Sequence, residues 1–328
     1  MSTPVVGLDF QYTIEKETTF GTAVDSASTA IPTENMDINH DFKAHAVPRA
    51  RGVRGQHEGD TWQDQVGSIP TTSTGFFLTS DTMGWLPAVL QDATDWATSD
   101  STNITMHTNN YTKLPDFSAD AGFFYTLGAI SPVAAYSETM TSAIGSGMKL
   151  SIGPDSNEGA LFCEMDWIAK ASDLHETQTA TVTTPAMTGL YKWSDIENVT
   201  FMAQDITDDF YEMEINVANG AKYVPAGGSD NIALPKWEVS GTVTILSGAL
   251  AEALKSIVES TNPSNGTDMV IEFGSGDMDT ATDLKMTVFG VLNGYSTDKS
   301  EEEKVTFEFT GLFGGATEYP LTIEYSVI

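Results

Sequence analysis

Apolar and polar residues alternate in short runs along most of this chain. Val305, Phe307 and Phe309 are separated by Thr306 and Glu308. Cys163, Met165 and Trp167 alternate with Glu164 and Asp166, and Leu284, Met286 and Val288 alternate with Lys285 and Thr287. A period of two sends successive side chains to opposite faces of a strand. Each run therefore predicts a strand with one face in a core and the other on water or a partner. Turn-forming residues separate the runs, as at residues 153–159 and at Asn293-Gly294. Two stretches carry helical spacing instead. One starts at Ser247, a candidate cap, and runs to about Ser260 with Leu250, Leu254, Ile257 and Val258 on one face. The other lies near residues 80–91, with Asp81 as its candidate cap and Pro87 predicting a short or kinked helix. The expected fold class is mainly β.

The pattern occurs twice. Met36-Asp37-Ile38-Asn39 and Val47-Pro48 return as Met213-Glu214-Ile215-Asn216 and Val224-Pro225, both at an offset of 177 (213 − 36 and 224 − 47). Trp62 and Trp237 match at 175, and Gly67 and Gly241 at 174. Each copy then predicts a short helix and a closing pair of strands, at residues 136–144 and 160–168 in the first and 284–291 and 304–312 in the second. The offset there is 142 (305 − 163). The first copy thus holds about thirty more residues, placed at 92–117 and read as an elaborated surface loop. The boundary falls in the Thr-rich residues 172–191, which predicts domains at 1–180 and 181–328.

Composition narrows the function. The chain of 328 residues carries 46 Asp and Glu against 15 Lys and Arg, a formal charge of −31. A basic nucleic-acid-binding surface is disfavoured. Two readings stay open, solubility or a surface that repels a polyanion. All three arginines, Arg49, Arg51 and Arg54, lie within six residues beside glycines. Arginine suits fixed contacts with carboxylates, so this loop reads as a plug for an acidic socket or as a solvated basic turn. The single cysteine, Cys163, allows no intrachain disulfide and sits where a buried strand thiol is expected. No apolar run approaches the ~20 residues of a membrane helix, and the opening residues lack the regions of a secretory signal. The five histidines form no metal pair at helical spacing. Asp277, Asp279 and Asp283 lack the spacing and terminal Glu of a calcium hand. Ser146 and Lys149 match a Ser-x-x-Lys motif, but in a glycine-broken strand region rather than at a helix start. No catalytic, cofactor or metal site is expected.

These patterns resemble the tail tube (major tail) proteins of bacteriophages. The opening segment, residues 8–22, ends in Glu17-Thr-Thr-Phe-Gly-Thr22, similar to a Glu-x-Thr-x-Phe-Gly-Thr-like segment common there. Trp237-Glu-Val-Ser-Gly-Thr-Val243 followed by a helix, Lys304–Leu312 and Leu321–Tyr325 resemble that family's strand–helix core and ending. The resemblance implies two tandem tail-tube-type β-sandwich or barrel domains, each with a short flanking α-helix. It implies a structural subunit of the virion rather than an enzyme, assembled in the host cytoplasm. Six such domains form a ring, rings stack into a tube, and strands line a lumen through which DNA passes without specific binding. Other tail proteins, such as the terminator, tape measure and tail tip, would be partners, and no membrane. Arg49, Arg51 and Arg54 would be the ring-to-ring stacking loop. Its second-copy counterpart, with Val224, Pro225, Gly228 and Asp230, lacks the positive charge. A trimer of two-domain chains is favoured over a hexamer. The alternatives are another virion β-protein, such as an adhesin, tail decoration or capsid-associated protein, and a carbohydrate-active enzyme.

Overall fold

The structure, a computed structural model, describes residues 10–18, 21–24, 27–32, 36–48, 61–94, 103–108, 123–131, 137–174, 181–185, 189–226, 229–233, 237–260, 266–274, 283–298, 303–314 and 318–326. It is mainly β with two short α-helices. The first strands are β1 (Gln11–Lys16), β2 (Ala27–Ala30), β3 (Asn39–Pro48), β4 (Thr61–Phe77), β5 (Gln91–Thr94), β6 (Asn103–Thr108), β7 (Tyr125–Ile130), β8 (Glu138–Ile152), β9 (Phe162–Ile168), β10 (Ala171–Leu174) and β11 (Thr181–Thr183). There follow β12 (Ile196–Phe201), β13 (Gln204–Asp205), β14 (Phe210–Ala218), β15 (Lys222–Ala226), β16 (Ser229–Ala233), β17 (Glu238–Leu246), β18 (Thr267–Phe273), β19 (Leu284–Asp298), β20 (Lys304–Gly311) and β21 (Thr322–Ser326). The alternating runs behave as their period requires. Cys163, Met165 and Trp167 of β9 are buried, as are Val305, Phe307 and Phe309 of β20, while Glu164, Asp166 and Glu308 between them are exposed.

The helices are shorter than their patterns. α1 (Pro87–Leu90) is preceded by a 3-10 turn at Met83–Trp85, whose N-cap is Thr82 rather than Asp81. Thr79 N donates to Thr82 Oγ1 at 2.9 Å, so two threonines close this turn locally. Pro87 opens α1, where a missing N–H leaves no bond unmade. α2 (Ala249–Val258) has Gly248 at its N-cap in place of Ser247, with no side-chain bond there. Leu254 is buried, and Leu250, Ile257 and Val258 pack half-buried against the core. Among the described residues no helix is long and apolar enough to cross a membrane.

Strand order is the same in both halves. β3 pairs with β4, β4 with β9 and β9 with β8, all antiparallel. Likewise β14 pairs with β17, β17 with β20 and β20 with β19. β8 and β19 each serve two sheets. Residues 138–143 of β8 pair with β7 and β10, then residues 144–151 pair with β9. Residues 284–290 of β19 pair with β18 and β21, then residues 290–298 pair with β20. β1 flanks β7 as β12 flanks β18. Each half is therefore two sheets sharing one long strand, with aromatic rings between them. Tyr125 meets Trp167 edge-on at 5.8 Å in the first, and Phe201 lies 6.3 Å from Phe307 in the second.

The first crossing strand is held by Glu17, just after β1. Its carboxylate accepts from Ser142 N (2.6 Å), Ser142 Oγ (2.7 Å) and Thr126 Oγ1 (3.0 Å). Burial pushes this carboxyl above its ordinary value, against hydrogen bonds from Ser142, Thr126 and Gly21 that favour the ionised form. Ser142 has a positive φ of 53° and sits just before β8 passes from one sheet to the other. Glu17 thus fixes a strained backbone position at the crossover.

Pairing decides which residues correspond. Cys163, Met165 and Trp167 match Val305, Phe307 and Phe309 at 142. Asn39 lies opposite Thr71, and Asn216 opposite Ser240; Val47 lies opposite Trp62, and Val224 opposite Asn231. The offset is therefore 177 along the first strand of each hairpin (216 − 39) but 169 along the second (240 − 71). Trp62 corresponds to Asn231, and Trp237 to Ser68, so the Trp and Gly matches at 175 and 174 do not hold. The physical reason is length: residues 49–60 join the paired Pro48 and Thr61, whereas residues 226–229 suffice between Pro225 and Asp230.

Three further expectations change. Met36–Ile38 precede β3 rather than lying in it, and the Thr72 hydroxyl donates to Asp37 O at 2.9 Å where a ladder bond would run. Asn293-Gly294 is no turn; β19 runs through it with a bulge between Leu292 and Gly294, matching the bulge between Gly145 and Gly147 in β8. Both crossing strands consequently extend past their expected ends at Ile144 and Val291. Within the presumed surface loop, residues 92–94 and 103–108 are strands, and β6 pairs with β21 of the other half from Asn103↔Ser326 to His107↔Thr322. His107 also stacks on Tyr319, with centroids 4.1 Å apart. The rest of that segment lies outside the described residues.

Candidate functional site

The two halves join edge to edge. β8 of the first pairs antiparallel with β14 of the second, from Met213↔Ile152 to Ala218↔Gly147. One sheet then runs β3-β4-β9-β8-β14-β17-β20-β19, with the seam at its middle. On the core side, buried Asn219 closes the seam. Its amide donates to Gly145 O (2.7 Å) and Val89 O (3.1 Å), and its carbonyl accepts from Ala221 N (2.8 Å). This satisfies three backbone groups of two halves with one side chain.

The other face is open and polar. Because strands alternate, Ser73, Glu164, Asp166, Lys149, Glu212, Glu214, Asn216, Glu238, Ser240, Thr306 and Glu308 all point the same way. The face is concave at the seam: a depression of about 670 Å³ lies there, lined from β4, β8, β9, β14 and β17 by residues that include Ser73, Lys149, Glu164, Asp166, Asn216 and Glu238. A second, of about 320 Å³, continues it past Glu212 and Thr242. Among the described side chains that β9, β8, β14, β17 and β20 present on this face, six carboxylates (Glu164, Asp166, Glu212, Glu214, Glu238, Glu308) stand against Lys149 and Lys304.

Both lysines are occupied. Lys149 Nζ lies 2.6 Å from Glu214 Oε2 across the seam, and Lys304 Nζ sits 3.5 Å from the centre of the Tyr211 ring. Burial pushes the Glu214 carboxyl up, but bonds from Lys149 and Asn216 and the lysine's charge outweigh it and hold the group below its ordinary value. The hydrogen bond to Glu214 holds Lys149 above its own. Both side chains are more than a third exposed, so the pair contributes about 1 kcal/mol or less. The remaining carboxylates give the described part of the face a negative field, which disfavours phosphate. Ser73 Oγ donates to Asp166 Oδ1 (2.6 Å), and Thr244 Oγ1 to Glu212 Oε1 (3.1 Å), which orients two of them.

The ends of this sheet are unlike its middle. Among the described residues β3 pairs with β4 alone, and residues 291–298 of β19 pair with β20 alone. These edges are the counterparts of β14 and β8, the two strands that meet at the seam.

The sequence marked none of these face residues as a site. The signal was present in the outward positions of the alternating runs, but without the pairing order nothing placed them on one surface. Arg49, Arg51, Arg54 and Gly228 lie outside the described residues. Val224 and Pro225 are on β15 opposite Asn231 and Asp230 on β16, so Asp230 belongs to a strand rather than a loop. Cys163 is a buried strand thiol. Among the described residues no group of three His, Cys, Asp or Glu side chains is placed to hold a metal ion. No protein-family model matches the chain, and no curated protein matches it.

Proposed function

We infer that this chain is a structural subunit of a phage tail tube, built from two tandem tube-type domains and lining a DNA conduit with its acidic concave face. One observation carries the reading: two halves of the same strand order form a single eight-stranded sheet, concave over its seam, whose outer edges repeat the edges already joined at that seam. A sheet with open edges of this kind is an association surface, and closing it into a ring removes the liability. The carboxylates on its concave side suit a wall along which a polyanion slides without sticking.

Geometry favours three chains per ring. With strands ~4.8 Å apart and tilted ~40°, two chains would enclose a backbone diameter of about 32 Å and three about 48 Å. Side-chain layers of ~5 Å on each wall reduce these to about 22 and 38 Å. Duplex DNA, ~20 Å across, would touch the smaller wall. In the larger it keeps roughly one Debye length, ~8–10 Å, of solvent on every side. The assembled tube would belong to the virion, with the rest of the tail as its partners and the arginine loop as the contact between rings.

Electron microscopy of the concentrated protein tests this reading. Hollow rings or tubes with a lumen wide enough for duplex DNA are expected. A protein that stays monomeric at every concentration, and does not add to a tail tip, overturns it.

A further inference from the structure

The seam inside the chain also specifies a contact between chains. Its strands have counterparts at both open edges: β14 corresponds to β3 at 177, and β8 to β19 at 147, since Gly147 opposite Asp166 matches Gly294 opposite Glu308. We propose that β3 of one copy adds antiparallel to residues 294–298 of β19 in a second copy of this chain, in the register of the seam, and that three chains close the ring.

Transferring the seam pairs Ala218↔Gly147, Asn216↔Lys149 and Glu214↔Ser151 gives a definite register. Asp41 of one chain lies opposite Gly294 of the next, Asn39 opposite Ser296 and Asp37 opposite Asp298. Parity places Asp37 and Asn39 on the same concave face as Glu214 and Asn216, so the acidic wall continues from chain to chain.

A glycine supports this occupant independently. At the seam, a Cβ on Gly147 would meet the Val217 carbonyl oxygen at 3.3 Å, so the neighbouring backbone passes close by. Gly294, its counterpart, also follows a bulge, yet a Cβ there would meet nothing nearer than Glu308 Oε2 at 3.7 Å. Among the described residues of its own chain nothing crowds Gly294. A second copy seated as proposed brings the carbonyl of His40, the counterpart of Val217, to that position. A close backbone approach to a glycine would thus recur at an edge where, among the described residues, no backbone of the same chain stands.

The two junctions differ in chemistry. Lys149 and Glu214 of the seam are replaced by Ser296 and Asp37, and Ser151 by Asp298. The junction between chains lacks the ion pair and sets two carboxylates across from each other, which weakens strand pairing. A permanent joint within the chain and a weaker, reversible one between chains allows a ring to correct itself as it assembles.

Register and count rest on the tube reading, but cross-linking tests them separately. Asn39→Cys combined with Ser296→Cys places two exposed thiols within antiparallel disulfide reach. Cys163 can remain in place, because complete burial pushes its thiol well above the ordinary range and keeps it unreactive. Mild oxidation of the assembled double variant is expected to give covalent dimers and trimers and nothing larger. Asn39→Cys with Thr297→Cys, whose second thiol points to the other face, is expected to give none. A ladder reaching six or more chains overturns three-chain closure, and absence of cross-links in a protein with native circular dichroism overturns the pairing. Gly294→Val provides a second route: unchanged unfolding in urea with at least a tenfold higher concentration needed for assembly is expected, and unimpaired assembly overturns the contact. Closed trimers that never stack into tubes would uphold the contact and refute the tube function; tubes without the cross-link would do the reverse.

Discussion

Changing Glu164, Glu238 and Glu308 to lysine is expected to turn the concave face from one that excludes duplex DNA into one that holds it. All three carboxylates are exposed, so the fold should tolerate the exchange. They lie on β9, β17 and β20, on both sides of the seam. The described charges that β9, β8, β14, β17 and β20 present on the face change from six carboxylates and two lysines to three and five. Lysines that neutralise phosphates release condensed counterions, so the new affinity should be strongly salt-dependent. With six or more contacts in a ring, it should fall on the order of 10³-fold between about 0.05 and 0.2 M salt. Fluorescence anisotropy of a labelled duplex added to assembled protein measures this. Wild-type rings are expected to leave the duplex free throughout. Equal binding by wild type and variant would remove the role assigned to the carboxylates. In a tube, the same variant should slow the passage of DNA, because a conduit that binds its cargo is a trap.

Trp167→Ala carries the largest expected loss of stability. Trp167 is fully buried between the sheets of the first half, meets Tyr125 edge-on and donates from Nε1 to Thr74 Oγ1 at 2.9 Å. Removing the indole leaves a large cavity and an unpaired buried hydroxyl. A cost of about 3–5 kcal/mol follows, against a total of roughly 5–15 kcal/mol for an ordinary domain. Urea unfolding followed by far-ultraviolet circular dichroism would show it. Trp167→Phe restores the residue type that the second half uses at the matching position, Phe309, and is expected to cost less. An alanine variant with the wild-type midpoint would contradict the assignment of this ring to the core.

Much of this was written in the alternation of the chain. A strand with one buried face must alternate, so Val305, Phe307 and Phe309 announce both their strand and their core face, and the closing strands match at 142 by sequence alone. Met213 to Asn216 and Val224-Pro225 also matched at the offset that pairing confirms for that strand, 177. The tryptophan match misled because sequence similarity cannot say where a hairpin turns. Eight residues fewer in the second hairpin shift everything beyond its tip, and Trp237 falls opposite Asn219's neighbourhood rather than at the place of Trp62. Asn-Gly favours tight turns by tolerating positive φ, but the same permissiveness suits a bulge, and at Asn293-Gly294 the sheet on both sides imposed the bulge. Residues 103–108 alternate too, with Ile104 and Met106 turned inward. They were hidden because their partner, β21, comes more than two hundred residues later. The concave site was illegible for the same reason: six carboxylates from four strands share a surface through long-range pairing, and no local pattern encodes that.

The face bearing Glu164 is expected to form the inside wall of a closed ring. A Glu164→Cys variant, labelled with a small gold cluster and assembled, tests it by rotationally averaged electron microscopy. One gold position per chain is expected, three around the ring, all on the inner wall of a lumen about 38 Å wide. Gold on the outer surface, or rings that do not form around this face, would contradict it.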